Sequence, residues 1–237
     1  MRVLTLFLLA AVSLYAENLP EWFLPLREAV YEQQLTADQV VPLYRETRHT
    51  AEQSLSGPPL FVMLSRCEYM MGRLYQFEER KEEAAAHYAG GMDLANKALD
   101  SGDGSVMAAA WQMLAENLSQ SCAVRSTSFA IANGLNVEKY SKNALAVNSR
   151  NAPAQYMMAA RWVFAPPPFN NYKKGIAMME AILAGADLDR DDLFNVHSAI
   201  GYAYVQQKKY NEARSWLLKA LEIYPTNKYA LDLLAKR

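Results

Sequence analysis

The sequence predicts an all-α protein, an array of antiparallel helical hairpins stacked along one axis. Three observations predict it. Apolar residues recur at spacings of three and four over most of the 237 residues, the period of a helix with one buried face. Small residues recur three positions ahead of an aromatic or apolar one, where the two helices of a hairpin would touch. Prolines punctuate the periodic runs, as in Gly57-Pro58-Pro59, Pro166-Pro167-Pro168 and Pro225.

Composition agrees with this class and removes others. Hydrophobic residues make up 51% and charged ones 21%, too apolar for a disordered chain. The net charge is -1 and no long Lys/Arg run occurs, which argues against nucleic acid as a partner.

In chain order, Arg2 precedes the apolar run Val3 to Val12, followed by Ser13-Leu14-Tyr15-Ala16 and Glu17. A positive end, a compact apolar stretch and a small residue before polar sequence form the layout of a secretory signal peptide, residues 1–16. The run is short for a hydrocarbon core of about 30 Å, so no stable membrane span is expected after cleavage. No cysteine lies near the cut, and the mature chain carries about -2. Residues 17–237 are expected to form one helical domain. Within it, residues 17–60 give one or two N-terminal cap helices, with Thr36 and Gln39 spaced as a capping box.

The repeated unit is clearest from Phe194 to Asn227. Phe194, His197, Ile200-Gly201 and Tyr204 share one helical face, and Lys208-Lys209 mark a polar turn. Ala213, Leu217, Ala220-Leu221 and Ile223-Tyr224 then form a second periodic run, which Pro225 ends because it disfavours helix in the residue before it. Ile200-Gly201-x-x-Tyr204, Ala213-x-x-x-Leu217-x-x-Ala220 and Pro225 resemble the tetratricopeptide repeat (TPR), with His197 in place of its first aromatic.

Less regular copies precede it, and about four divergent repeats span residues 65–227. One has Met71-Gly72-x-x-Tyr75 and Ala84-x-x-x-Tyr88-x-x-Gly91. The next has Trp111, Leu114-Ala115 and Leu118, with its second helix displaced by an insertion from Cys122 to Gly134 and resuming at Tyr140. The third has Met158-Ala159 and Trp162, the insertion Ala165 to Asn171, and a second helix carrying Gly175, Met179 and Ile182. Residues 228–237 are expected as a C-terminal cap helix that covers one apolar face and shows water the other. The resemblance implies a right-handed TPR-like α-solenoid.

No chemistry stands out. His49, His87 and His197 lie far apart, and no phosphate loop or nucleophile elbow is present, so neither a cofactor nor an enzymatic activity is expected. Asp187, Asp189, Asp191 and Asp192 lack the glycine and final acid of a calcium loop. They are expected in a solvated turn, with Asp191 or Asp192 capping a helix that starts near Leu193. His197 is expected to pack against the preceding hairpin. Cys67 and Cys122 fall three or more turns apart along parallel helices, roughly 16 Å, and are expected as free, mostly buried thiols.

In the TPR resemblance, a concave surface is lined by residues of each repeat's first helix. Carried over, it yields Arg66, Tyr69, Arg73, Gln76 and Phe77; then Gln112, Glu116, Ser119 and Gln120. Tyr156, Ala160, Val163 and Phe164 follow from the third repeat, and Asn195, Ser198, Tyr202, Val205 and Gln206 from the last. Aromatics mixed with amides and arginines suit a protein partner. The two insertions are expected to lie side by side near this groove.

From the long helix near Ala98 through the proline-rich segment, the chain also resembles exported TPR-like subunits that accompany tripartite ATP-independent periplasmic transporters in spirochaetes and other bacteria. The lipid-attachment cysteine of those relatives is missing. That resemblance implies a periplasmic adaptor, with a solute-binding protein as its partner. The alternative is a carrier of a small apolar ligand, in a pocket roofed by the insertions.

Overall fold

The computed structural model describes residues 19–236. The signal-peptide reading of residues 1–16 lies outside them. Among the described residues there are eleven α-helices and no strand. After a 3-10 turn, Glu21–Phe23, come α1 (Leu24–Glu32) and α2 (Ala37–Ser54). Four antiparallel hairpins follow: α3 (Gly57–Phe77) with α4 (Lys81–Asp100), α5 (Met107–Val124) with α6 (Thr127–Val147), α7 (Ala152–Phe164) with α8 (Tyr172–Gly185), and α9 (Arg190–Gln206) with α10 (Tyr210–Ile223). A short α11 (Lys228–Leu234) ends the array. The stacked-hairpin, TPR-like class predicted from the sequence is the fold observed.

Local chemistry sets the helix boundaries. Thr36 and Gln39 make the reciprocal capping box that starts α2. Pro58 sits in the first turn of α3, where a missing N–H costs nothing, so that helix begins before residue 65. Asn151, Asn171 and Asn227 each accept a backbone N–H in the first turn of α7, α8 and α11. α2 is fastened to the first hairpin by Glu68, whose carboxylate accepts from Tyr44 Oη at 2.6 Å, from His87 Nδ1 at 2.6 Å and from Arg48. Burial alone would raise the pKa of Glu68; these partners outweigh it and hold it below the usual range.

The small residues of the repeat are spacers between helices. A Cβ on Gly72 would stand 2.5 Å from Cε1 of the fully buried Tyr88, and one on Gly175 would stand 2.6 Å from Val163 Cγ2. At Gly201 the added atom would meet Leu217 Cγ and Cδ2, both at 2.6 Å. Gly201→Leu is therefore expected to force α9 from α10 and to cost about 1 to 3 kcal/mol, measured as a lowered urea midpoint. An unchanged midpoint would show that α9 and α10 do not depend on this contact.

Four sequence expectations are corrected. The Cys122–Gly134 stretch is not an insertion between helices. It forms the last turn of α5 and the first turns of α6, joined only by Arg125-Ser126, with Ser126 Oγ accepting from Phe129 N. Gly134 reads as a break, but one helical glycine costs only about 1 kcal/mol against alanine, and α6 runs through it.

Asp189, not Asp191 or Asp192, caps α9, which begins at Arg190 and not near Leu193. Asp191 is buried: it accepts from Tyr224 Oη at 2.5 Å and lies 3.6 Å from Arg27, with burial pushing its carboxyl up to about 7. His197 packs within its own hairpin, its ring 5.6 Å from that of Trp216.

The fourth correction concerns the ends, which are not separate caps. Tyr31 of α1 stacks on Tyr224 at 4.8 Å and meets Phe194 edge-on at 5.5 Å. Asn227 Nδ2 donates to Tyr31 O at 2.7 Å, Lys228 N to Gln33 Oε1 at 2.8 Å, and Arg190 Nη1 to Glu28 at 2.8 Å. One hydrophobic cluster accordingly runs from Phe23 through the first hairpin to Tyr224 and Ala230. The array closes on itself.

A candidate partner cleft

Closure reshapes the concave side. α3, α5, α7 and α9 present their inner faces to one another, α1 and α11 fill part of the space between them, and an open cleft of about 630 Å³ remains. Of the eighteen residues carried over from the resemblance, eleven line it, among them Arg73 and Phe77 from α3, Tyr156 and Phe164 from α7, and Tyr202 from α9. Phe164 and Tyr202 meet across adjacent repeats with ring centroids 5.0 Å apart. Gln76, Ser119, Gln120, Ala160, Asn195 and Ser198 line it too, as the first-helix placement implied.

The other seven go elsewhere, Val163 and Val205 into the cores of their own hairpins. Arg66, Tyr69 and Gln112 are buried in the base of the array, where the inner faces of α3 and α5 are covered. Gln112 donates to Glu116 Oε2 at 3.0 Å and accepts from Asn151 Nδ2 at 2.9 Å, so the N-terminus of α7 seals it off. Burial raises the Glu116 pKa, against the bond from Gln112 and the charges of Arg66 and Arg73. Gln206, at the end of α9, is exposed and does not line the cleft.

The sequence reading missed Tyr229, and it placed the Cys122–Gly134 stretch beside the groove as an insertion instead of a helix. Tyr229 reaches the wall from α11, and Ala130, Gly134 and Val137 reach it from α6. The signal for α6 was the spacing of those three residues at four and three, masked by taking the glycine as a break. Nothing in the sequence marked Tyr229, because its place depends on α11 folding back over α1.

Exposed apolar side chains flank, in sequence, the segments that line the cleft. Ile131 and Leu135, one helical turn apart beside the lining residues of α6, are 77% and 75% exposed. Just after α7, Ala165 and Pro166 line the cleft, and Phe169, turned back by its N–H to Pro166 O at 2.9 Å, is 71% exposed. Glu138 of α6 bonds Arg161 of α7 and so ties the two helices together. Trp162 is not part of the wall; Lys174 and Arg161 lie over its ring at 3.8 and 4.6 Å. Cys67 is buried, Cys122 lines the cleft, and both are free thiols. Burial pushes the thiol of Cys67 up to about 12.

No curated protein matches the chain. Among solved structures it is similar to YrrB, described as a TPR protein with an unusual peptide-binding site, at 16% identity over 83% of this chain and 87% of that one, with a TM-score of 0.39. The family described as "RMD1-3: Regulator of microtubule dynamics protein 1-3" matches residues 27–235, from α1 through the closing α11. With nearly all of its helical domain matched, the chain belongs to that RMD1-3 family.

Proposed function

We propose that the chain is an exported helical-repeat adaptor that holds a protein partner in the cleft and carries out no reaction itself. The observation behind this is the open cleft lined by the rings of Phe77, Tyr156, Phe164 and Tyr202. An open concavity walled by aromatic side chains is the usual mark of an interaction site. The family's description names a regulator of microtubule dynamics, and regulating another protein's dynamics is work that binding alone can perform. A small apolar ligand is the second reading, since the cleft has the volume of a ligand pocket. Its open mouth and the position of Trp162 outside the wall favour the protein partner.

Affinity capture by the mature protein, run beside a Tyr156→Ala/Tyr202→Ala double variant, tests the reading. A partner retained by the wild type and lost by the folded variant supports it; equal capture by both sinks it. A solute-binding protein among the captured species would support the adaptor role implied by the transporter resemblance. Export is tested by the N-terminal mass of the protein from its native cell. The expected first residue is Glu17, and a chain retaining Met1 would exclude cleavage after Ala16.

A further inference from the structure

We propose that Arg73 is the docking point for a carboxylate, and that the cleft takes a peptide segment of apolar and aromatic residues carrying one acidic side chain. This rests on the cleft being the partner site. Arg73 is held in place by neutral groups. Its Nη1 donates to Tyr31 Oη at 3.1 Å, Asn195 Oδ1 lies at 3.5 Å, and the rings of Tyr31, Phe77 and Tyr69 stand 4.9, 5.4 and 5.8 Å from its guanidinium carbon. Among the described residues no carboxylate lies within ion-pairing distance of it. Its nearest acids are already engaged, Glu116 by Gln112 and Asp191 by Tyr224 and Arg27. The guanidinium is half-buried, keeps its charge and meets only neutral groups, so it offers the cleft a cation that an anion from outside can match.

A second observation points to the same floor. Ser198, one turn beyond Asn195 on α9, is 4% exposed, lines the cleft, and has no hydrogen-bond partner for its Oγ among the described residues. The planar fork of Arg73 matches both oxygens of a carboxylate, and a serine hydroxyl donates to a third lone pair. A small anionic molecule confined to the floor of this open cleft of about 630 Å³ would leave the rings of Phe77, Phe164 and Tyr202 in water. A peptide segment covers them as it leaves the mouth, and that selects the peptide as the occupant.

The test is selection from a combinatorial library of acetylated, C-terminally amidated octapeptides, so that side chains supply the only carboxylates. Wild-type protein is expected to enrich Asp or Glu at least tenfold at one position, with apolar or aromatic residues flanking it. Arg73→Gln is expected to abolish the acidic preference while keeping the flanking one, and Arg73→Lys to keep most of it. Ser198→Ala is expected to weaken it. Circular dichroism establishes that each variant is folded, and the wild-type selection decides the point even if Arg73→Gln is not.

Enrichment without an acidic position, or an acidic preference that survives Arg73→Gln, overturns the carboxylate site and leaves the cleft as a partner site. No enrichment at all overturns the cleft reading and the proposal with it. Oleate serves as the small-ligand control: binding through Arg73 with no peptide enriched would replace the peptide by a carried ligand.

Discussion

Tyr31→Ala is expected to lower the free energy of unfolding by about 3 to 5 kcal/mol, the range for deleting a large buried ring. Tyr31 is 2% exposed and touches elements from both ends of the chain. Its ring stacks on Tyr224 and meets Phe194, and its hydroxyl accepts from Arg73 and from Asn195 Nδ2, each at 3.1 Å. Removing it leaves a cavity where α1, α3, α9 and the α10–α11 connection converge. Tyr31→Phe keeps the ring and leaves two donors without their acceptor, so about 1 to 3 kcal/mol is expected there. Urea unfolding of both variants measures the difference. A loss under 1 kcal/mol for the alanine variant would mean that α1 docks loosely and the closure contributes little.

The double change Tyr156→Ala and Tyr202→Ala is expected to weaken partner binding by about 2 kcal/mol or more, at least thirtyfold. Both rings line the cleft, and Tyr202 also carries the contact with Phe164. They are half-buried against the core of the third and fourth hairpins, so their loss also costs some stability. Titration calorimetry is therefore to be run well below the variant's melting temperature, with circular dichroism confirming the fold. Phe164→Ala, at a more exposed ring, is expected to cost about 1 to 3 kcal/mol of binding, and Gln206→Ala, outside the cleft, to be neutral. Wild-type affinity in the double variant would show that the cleft wall is ordinary surface.

The hairpins were legible because helix pairing is a local matter. Gly201 and Leu217, or Gly72 and Tyr88, are sixteen residues apart, and a small residue facing a large one leaves a mark in the sequence at that range. The mark carried the first-helix residues Tyr156, Phe164 and Tyr202 to the correct wall. It failed for Arg66, Tyr69 and Gln112, whose inward positions are right for an open groove but are covered here by closure. The Tyr31–Tyr224 stack and the Asn227–Tyr31 bond join residues more than 190 positions apart, and no periodicity reports on such a contact. The Cys122–Gly134 error has a different cause. A glycine and several polar residues suggest a loop by composition, whereas the helix pays its small cost through packing along the rest of α6.

The bond between Tyr31 and Asn227 also sets an order of events during synthesis. An open repeat array is built link by link, each hairpin finding its partner in the one just made. Here the apolar side of α1, with Phe23, Leu26, Val30 and Tyr31, is made long before the Tyr224 ring and the Asn227 amide, which follow Tyr31 by about 190 residues. Those early side chains have no complete home until α10 and the turn to α11 have been made. Contacts this distant in sequence slow folding, because a long loop must be closed before they form. A chain stopped short of Asn227 would therefore lack the contacts that hold α1 in place, leaving it an exposed handle for chaperones and proteases.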